Sequence, residues 1–233
     1  MKPFGQTYPI LVLRSLLFYS SAGLAVVPFL MLWPALWISR DRVYAISDRY
    51  LQVQLWLLRV ICGVRYEVTG KVHVPSGPVI FASQHESTWE TLYFEVLLGR
   101  PVMYAKKSIF SYPVFGPVMC KMGHIPVEAG GSADAVRAGF RAGTEALEAG
   151  RSLVIFPSGT RRKSRVAELQ AGVGVLYQLA GCPVCPVRLN SGACWPHDSF
   201  VKQPGTIRVE ICPAIEAGLT RRRFMVVLDE ALR

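Results

Sequence analysis

Charge is scarce in this chain: Asp, Glu, Lys and Arg make up 18% of its 233 residues, where an average soluble domain carries about 25%. Acidic side chains are the scarcest, 16 against 26 basic ones, which leaves a formal charge of +10. A second long apolar run is lacking, and with it the case for a polytopic membrane protein. Internal repeats and low-complexity tracts are absent. The six cysteines lack the spacing of a secreted disulfide scaffold, so reduced thiols in a cytoplasm-facing body are expected. No G-x-S-x-G elbow and no recognised nucleic-acid motif occurs, which removes the usual marks of a serine hydrolase or a nucleic-acid reader. What is abundant is apolar surface, 51% of residues, far too much to leave in water as a disordered chain. The length suits one domain with an appendage. The excess charge is mostly arginine, 19 Arg to 7 Lys; its planar fork suits phosphate, so nucleic acid, anionic lipid and phosphorylated metabolites are candidate partners.

The apolar surface is concentrated at the front. Ser15 to Ile38 is a 24-residue stretch without a formal charge, and at about 1.5 Å per residue it is long enough to cross a hydrocarbon core of roughly 30 Å. It is too long for a signal peptide and lacks a small-residue cleavage site. Pro28 and Pro34 interrupt its second half, and Ser20-Ser21-Ala22-Gly23 offers a break. Basic residues flank both sides, Lys2 and Arg14 before, Arg40, Arg42 and Arg49 after, so the positive-inside rule gives no orientation. A bent or re-entrant anchor fits as well as a span. From Asp41 to Gly63, Tyr44, Leu51, Leu55, Leu58 and Cys62 recur near helical spacing. This reads as an amphipathic helix, lying either in a membrane interface or on the globular core.

After Gly63 short apolar runs alternate with helical stretches. Strands are expected at 65–69, 78–82, 101–105, 124–127, 152–156, 183–189 and 206–211. Helices are expected at 86–98, 114–122, 132–149, 168–180 and 220–232, with Ser132 as N-cap and Gly150 just past a C-terminus. The alternation predicts an α/β fold, a mixed sheet flanked by helices, with an N-terminal apolar helical membrane anchor. The expected division is a membrane-anchoring helical segment at 1–63 and an α/β domain at 64–233.

Four stretches carry chemistry. The strand ending at Ala82 runs into Gln84-His85-Glu86-Ser87-Thr88-Trp89-Glu90. On a regular helix a five-residue spacing turns Glu90 about 140° away from His85. His85 must therefore sit in the turn for Glu90 to reach its ring; a carboxylate on one imidazole nitrogen then leaves the other to take a proton, while the bland alternative is a histidine at a helix start with solvent-facing glutamates. The second is Lys106-Lys107-Ser108-Ile109-Phe110-Ser111-Tyr112-Pro113-Val114-Phe115-Gly116, two lysines beside aromatics at a strand end, which either meet phosphate at a lipid–water boundary or are simply solvated. The third, Phe156-Pro157-Ser158-Gly159-Thr160-Arg161, continues through Arg162, Lys163 and Arg165. Its cations, hydroxyls and free amides can cradle an oxyanion or simply be solvated. The fourth, Cys185-Pro186-Val187-Arg188-Leu189-Asn190-Ser191-Gly192, is an apolar strand opening into a polar turn.

In this order the four stretches resemble the glycerolipid acyltransferases of the bacterial 1-acylglycerol-3-phosphate O-acyltransferase type. That family's blocks are H-x-x-x-x-D, K-x-L-x-x-x-P-x-x-G, F-P-E-G-T-R and a V-P-V-like strand; here they read QHESTWE, KSIFSYPVFG, FPSGTR and CPVRLNSG. The resemblance implies that His85 is the base that deprotonates a lyso-lipid hydroxyl and that Glu90 orients it. It implies that Lys107, Gly159, Thr160 and Arg161 bind the glycerol phosphate. It further implies an enzyme of phospholipid biosynthesis that needs no cofactor and no metal. Acyl carrier protein or coenzyme A would bring the acyl thioester as co-substrate. Lysophosphatidic acid and membrane lipids would be partners, nucleic acid would not, and the site would be the cytoplasmic side of a bacterial inner (cytoplasmic) membrane. Three positions depart from the pattern: Glu90 for Asp, Ser158 for Glu and Ile109 for Leu. Ser158 alters the site charge by one unit and leaves open another lyso-lipid acceptor, a lysophospholipid or an amino-acid-linked lyso-lipid. From other classes, Cys182, Cys185, Cys194 and His197 supply the four ligands of a zinc module. Ser158 with His85 would make a hydrolase, and the basic loop a nucleic-acid binder.

Overall fold

The computed structural model describes residues 7–31, 39–113, 115–128, 130–161 and 169–233. Seven strands form one sheet among them: β1 (Val64–Thr69), β2 (Ile80–Ser83), β3 (Val102–Lys106), β4 (Ile125–Val127), β5 (Leu153–Ile155), β6 (Val184–Leu189) and β7 (Gly205–Ile211). Each expected strand is present, with ends shifted by no more than two residues. The order is β1-β7-β6-β2-β5-β3-β4. β2 pairs in parallel with β5 and with β6, β3 with β5 and with β4, and β1 with β7. Only β6 and β7 run antiparallel, so the sheet is mixed, as expected. Central parallel strands are covered on both faces and so need continuous apolar runs; all four residues of β2 are buried.

Alternation along the strands divides the core. Phe81, Met103, Val154, Cys185 and Val187 point to one face, which packs against Phe18, Leu51, Leu55, Leu58, Trp89, Tyr93 and Phe94. Ile80, Ala82, Val102, Leu153 and Val184 point to the other, against Leu147, Val173, Leu176, Tyr177, Phe224, Leu228 and Leu232. The first face is thus covered by α1 (Tyr8–Met31), α2 (Arg40–Leu57) and α3 (Trp89–Leu97). After α4 (Phe115–Met122), the helices α5 (Ala133–Glu148) and α6 (Ala171–Ala180), the four-residue α7 (Ser191–Cys194) and α8 (Arg221–Leu232) complete the fold. The second face is covered by α5, α6 and α8. Trp89 and Phe94 are wholly buried, and cutting either ring back to Ala would cost about 3–5 kcal/mol. Ser132 caps α5 by accepting from the Ala135 N–H, and Arg221, Arg222 and Arg223 stay in solvent while Phe224 enters the core.

The front end differs from its expected outline. α1 begins at Tyr8 and passes unbroken through Ser20-Ser21-Ala22-Gly23, with Pro28 inside it; Pro34 and residues 32–38 lie outside the described residues. A serine pair and one glycine do not stop a helix whose neighbours are strong formers such as Leu and Ala. Tyr8–Pro28 is long and apolar enough to cross a membrane, and Leu13, Leu16, Leu17, Leu24 and Val27 are exposed along it. Its other side is welded to the sheet domain. Ser15 Oγ accepts the Lys202 backbone N–H at 2.8 Å, Arg14 donates to the Ile61 carbonyl, and Phe18 and Tyr19 meet Trp195 edge-on at 5.6 and 6.3 Å. The Lys202 ammonium is buried between Trp195 and Tyr19, 4.6 and 4.8 Å from their ring centres. α2 continues as a π-turn, Leu58–Cys62, and stops at Gly63.

Where α2 crosses α3 and β3, two titratable groups are buried together. Glu95 has no hydrogen bond to either carboxyl oxygen among the described residues, and His124 Nε2 stands 3.6 Å away. The Met103 N–H donates to His124 Nδ1, so the ring proton sits on Nε2. Burial, with Asp48 adding to it against Arg151 and Arg100, pushes the Glu95 carboxyl up to about 8. Burial and then Arg151 pull His124 down to about 4. Near neutral pH both groups are uncharged. An unfolded chain releases the Glu95 proton near 4.5, so between these values the folded state holds a proton the unfolded state has lost, and stability falls as pH rises. Glu95→Gln keeps the shape without the ionisable proton. Its melting temperature relative to wild type is expected to increase steadily from about pH 5 to about pH 8; a constant difference would mean that Glu95 is ionised in the fold.

Candidate active site

All four chemistry-bearing stretches leave the C-terminal ends of neighbouring parallel strands. In sheet order these strands are β6, β2, β5 and β3, so the stretches share one edge, the place where open α/β sheets bind their ligands. Gln84, first out of β2, seats the turn. Its N–H donates to Val187 O at 3.0 Å, its side-chain oxygen accepts from the Leu189 N–H at 2.9 Å, and its amide donates to Leu232 O at 2.6 Å.

His85 then lies in the turn, as the spacing demanded, and α3 begins only at Trp89, three residues later than expected. Ser87 is the reason: its Oγ accepts the Trp89 N–H at 2.8 Å and holds a non-helical bend. From the first turn of α3, Glu90 reaches back. Its Oε1 meets His85 Nδ1 at 2.9 Å and accepts the N–H groups of Glu86 and Ser87 at 2.6 and 2.7 Å. Its Oε2 accepts the hydroxyls of Ser191 and Ser87 at 2.7 and 3.1 Å. The carboxylate is fully buried. Burial raises its pKa, but the hydrogen bonds from His85, Ser87 and Ser191 outweigh that and hold it below the ordinary range. An ionised Glu90 fixes the His85 tautomer: Nδ1 carries the proton and Nε2 the lone pair. The imidazole stacks on Phe156, 4.1 Å between centres, and its side chain is only 11% exposed.

The third stretch faces His85 from β5. Gly159 adopts φ +62°, a left-handed conformation that glycine enters without strain, and the turn carries Arg161 over the imidazole. Arg161 Nε donates to His85 Nε2 at 3.1 Å and its terminal nitrogen donates to Thr88 Oγ1 at 3.0 Å. Thr160 accepts the Ser158 hydroxyl through its carbonyl at 2.9 Å. Arg162, Lys163 and Arg165 lie outside the described residues. Lys107 stands at the end of β3, exposed, with Glu128 3.8 Å from its ammonium. The structure therefore gathers His85, Glu90 and Arg161 in direct contact, sets Gly159 and Thr160 in the adjoining turn, and directs Lys107 toward Glu128. Ser87, Thr88, Phe156 and Ser191 escaped sequence reasoning. Gly192 did too: its N–H donates to Glu86 Oε2 at 2.9 Å. The polar turn after β6 was the available signal for Ser191 and Gly192.

The arrangement can take a proton at Nε2 while a buried carboxylate stabilises the imidazolium that results. The Acyltransferase family model matches residues 65–190, the span that holds the first three stretches and the fourth as far as Asn190. The chain belongs to the acyltransferase family. A relative from Pseudomonas aeruginosa, a 1-acyl-sn-glycerol-3-phosphate acyltransferase, is 32% identical over 192 residues, covering 82% of this chain and 75% of that protein. One of the same name from Limnanthes alba is 27% identical over 83% of this chain and 67% of its own length. The crystal structure of the 1-acyl-sn-glycerophosphate acyltransferase PlsC from Thermotoga maritima shares the fold, with a TM-score of 0.75 at 18% identity over 94% of this chain and 92% of that one.

A zinc module finds no support in this acyltransferase. Among the described residues no group of three or more His, Cys, Asp or Glu side chains is gathered to hold a metal ion, and Cys185 and Cys194 are buried in the core. Ser158 as a nucleophile fares no better, since its hydroxyl is turned to the Thr160 carbonyl.

The support from Ser191 is testable. A hydrogen bond to a buried carboxylate is worth about 1.5 kcal/mol, so Ser191→Ala is expected to lower kcat about tenfold. Glu90 would also lose one of the contacts that depress its pKa, so the acid limb of the pH–rate profile is expected at higher pH than in wild type. An unmoved limb and unchanged kcat would show that Ser191 only fills space.

Proposed function

We propose that this acyltransferase moves a fatty acyl chain from an acyl thioester to the 2-hydroxyl of 1-acylglycerol-3-phosphate, forming phosphatidic acid in phospholipid biosynthesis. The observation that carries the reading is the buried Glu90 carboxylate on His85 Nδ1. It leaves a neutral, oriented Nε2 beside an arginine at the mouth of the sheet. The relatives' names supply the acceptor class.

In this reading His85 Nε2 takes the proton of the 2-hydroxyl as the oxygen adds to the thioester carbonyl. The tetrahedral intermediate then expels the thiolate, which receives the proton from the imidazolium. Glu90 holds the ring and stabilises its cation, and Arg161, with the Gly159-Thr160 turn and Lys107, engages the acceptor phosphate. A thioester is already activated, so the scheme calls for no metal and no cofactor, only in-line positioning of two lipids. The donor is acyl carrier protein or coenzyme A bearing the chain. Residues 1–63 serve as the anchor and 64–233 as the catalytic body. The exposed apolar side of α1 lies in the lipid, with the body on the cytoplasmic side of a bacterial inner membrane; nucleic acid has no part. Ser158, in place of a family glutamate, favours a second acceptor within the class, a lysophospholipid or an amino-acid-linked lyso-lipid, because the turn carries one negative charge fewer.

The test is acyl transfer by purified protein in liposomes, offering both donors and a panel of lyso-lipids. Wild type is expected to make phosphatidic acid, and His85→Ala to lose about 10²-fold or more, the scale of general-base loss, with its melting temperature retained. Transfer only to another lyso-lipid would move the enzyme to that acceptor; no transfer to any would overturn the reading.

A further inference from the structure

The imidazole nitrogen required for catalysis is already occupied. Glu90 holds the Nδ1 side and Phe156 holds the ring face, so His85 can offer only Nε2 to a substrate, and it cannot turn to offer another atom. Nε2 accepts the Arg161 Nε–H, and the same guanidinium is held by Thr88 Oγ1. One ring lone pair accepts one strong hydrogen bond. A hydroxyl can therefore reach the base only after Arg161 has left it.

Which acceptor can draw Arg161 away follows from bond strengths. Its present partners are a neutral imidazole and a neutral hydroxyl. A phosphate monoester offers the guanidinium two parallel charge-assisted hydrogen bonds, each roughly twice as strong as a neutral one. Water and uncharged alcohols offer nothing better than what Arg161 already has. We propose that Arg161 is a specificity latch, capping His85 Nε2 until the phosphate of an acceptor engages the guanidinium, so that a bound acyl thioester is withheld from water and from acceptors without phosphate. The proposal rests on the acyl-transfer reading above and adds to phosphate binding a coupling between that binding and the release of the base.

The latch predicts a latent activity. With Nε2 uncapped and no acceptor hydroxyl present, His85 would take a proton from water as the water oxygen adds to the thioester carbonyl. The C–S bond would break, the thiolate would take the proton from the imidazolium, and the products would be a free fatty acid and the thiol.

The experiment follows thiol release by the full-length protein without an acceptor, using whichever acyl thioester supports transfer in the assay above. Hexadecyl phosphate serves as the probe, since it has the phosphate and no hydroxyl to acylate. Release by wild type is expected to rise about tenfold at saturating probe. Arg161→Ala and Thr88→Val are expected to release thiol at a raised rate without the probe. Arg161→Ala should not respond to it further, and adding His85→Ala should abolish release in each background. Should Arg161→Ala fail to fold, the wild-type response to hexadecyl phosphate decides alone. Wild-type release indifferent to hexadecyl phosphate, with neither variant raised, would overturn the latch and leave Arg161 a phosphate ligand only. Failure of the underlying reading has a different signature, the absence of transfer to lysophosphatidic acid by wild type.

Discussion

A carboxylate removed from water is the constraint around which this acyltransferase is built. Taking an ion of that kind into a protein interior costs several kcal/mol even after relaxation. Glu90 offsets that cost with five contacts drawn from three directions: the His85 ring, the amides of Glu86 and Ser87, and the hydroxyls of Ser87 and Ser191. Each partner must be in place together, which ties the turn after β2, the first turn of α3 and the turn after β6 into one unit. The same requirement accommodates the longer side chain found where the family pattern has aspartate. The bend held by Ser87 delays α3 to Trp89, and Ser191 fills the hydrogen-bonding capacity of the outer oxygen.

The sheet was legible because its strands are short runs of apolar and β-branched residues bounded by turn residues, near-continuously apolar in the buried β2 and β6 and alternating in the more exposed β1. The caps at Ser132 and Gly150 were legible for the same local reason. For the pairing of His85 with Glu90, helix geometry supplied only the condition, that the histidine lie in the turn; the resemblance supplied the pairing, and the contact at 2.9 Å meets both. Ser191 could not be found that way, because its role depends on β6 lying beside β2, a neighbour relation that no local pattern encodes. Thr88 and Phe156 were hidden likewise, their significance arising only when two strand ends converge. The charge-free stretch from Ser15 did not mark where α1 begins, because Arg14 lies inside the helix and its side chain folds onto the Ile61 carbonyl.

Family membership and site geometry constrain different things. The ordered blocks and the relatives place the chemistry in a class. The acceptor depends on what the Ser158-Gly159-Thr160-Arg161 turn presents, and there this chain is one acidic group poorer than its family. With the Ser158 hydroxyl donating to the Thr160 carbonyl, the partners of the guanidinium among the described residues are the His85 imidazole and the Thr88 hydroxyl.

The seam between α1 and the segment that follows Ser191 has a practical consequence for anyone seeking a soluble version of this enzyme. Ser15, Phe18 and Tyr19 pack on Trp195 and Lys202, and Trp195 closes the short helix that begins with Ser191 itself. The long apolar helix is thus one wall of the loop that steadies Glu90. Trimming it away would strip the aromatic sleeve from a buried ammonium and loosen the active site from behind, so solubility is better sought by recolouring the outward Leu13, Leu17 and Leu24 than by cutting.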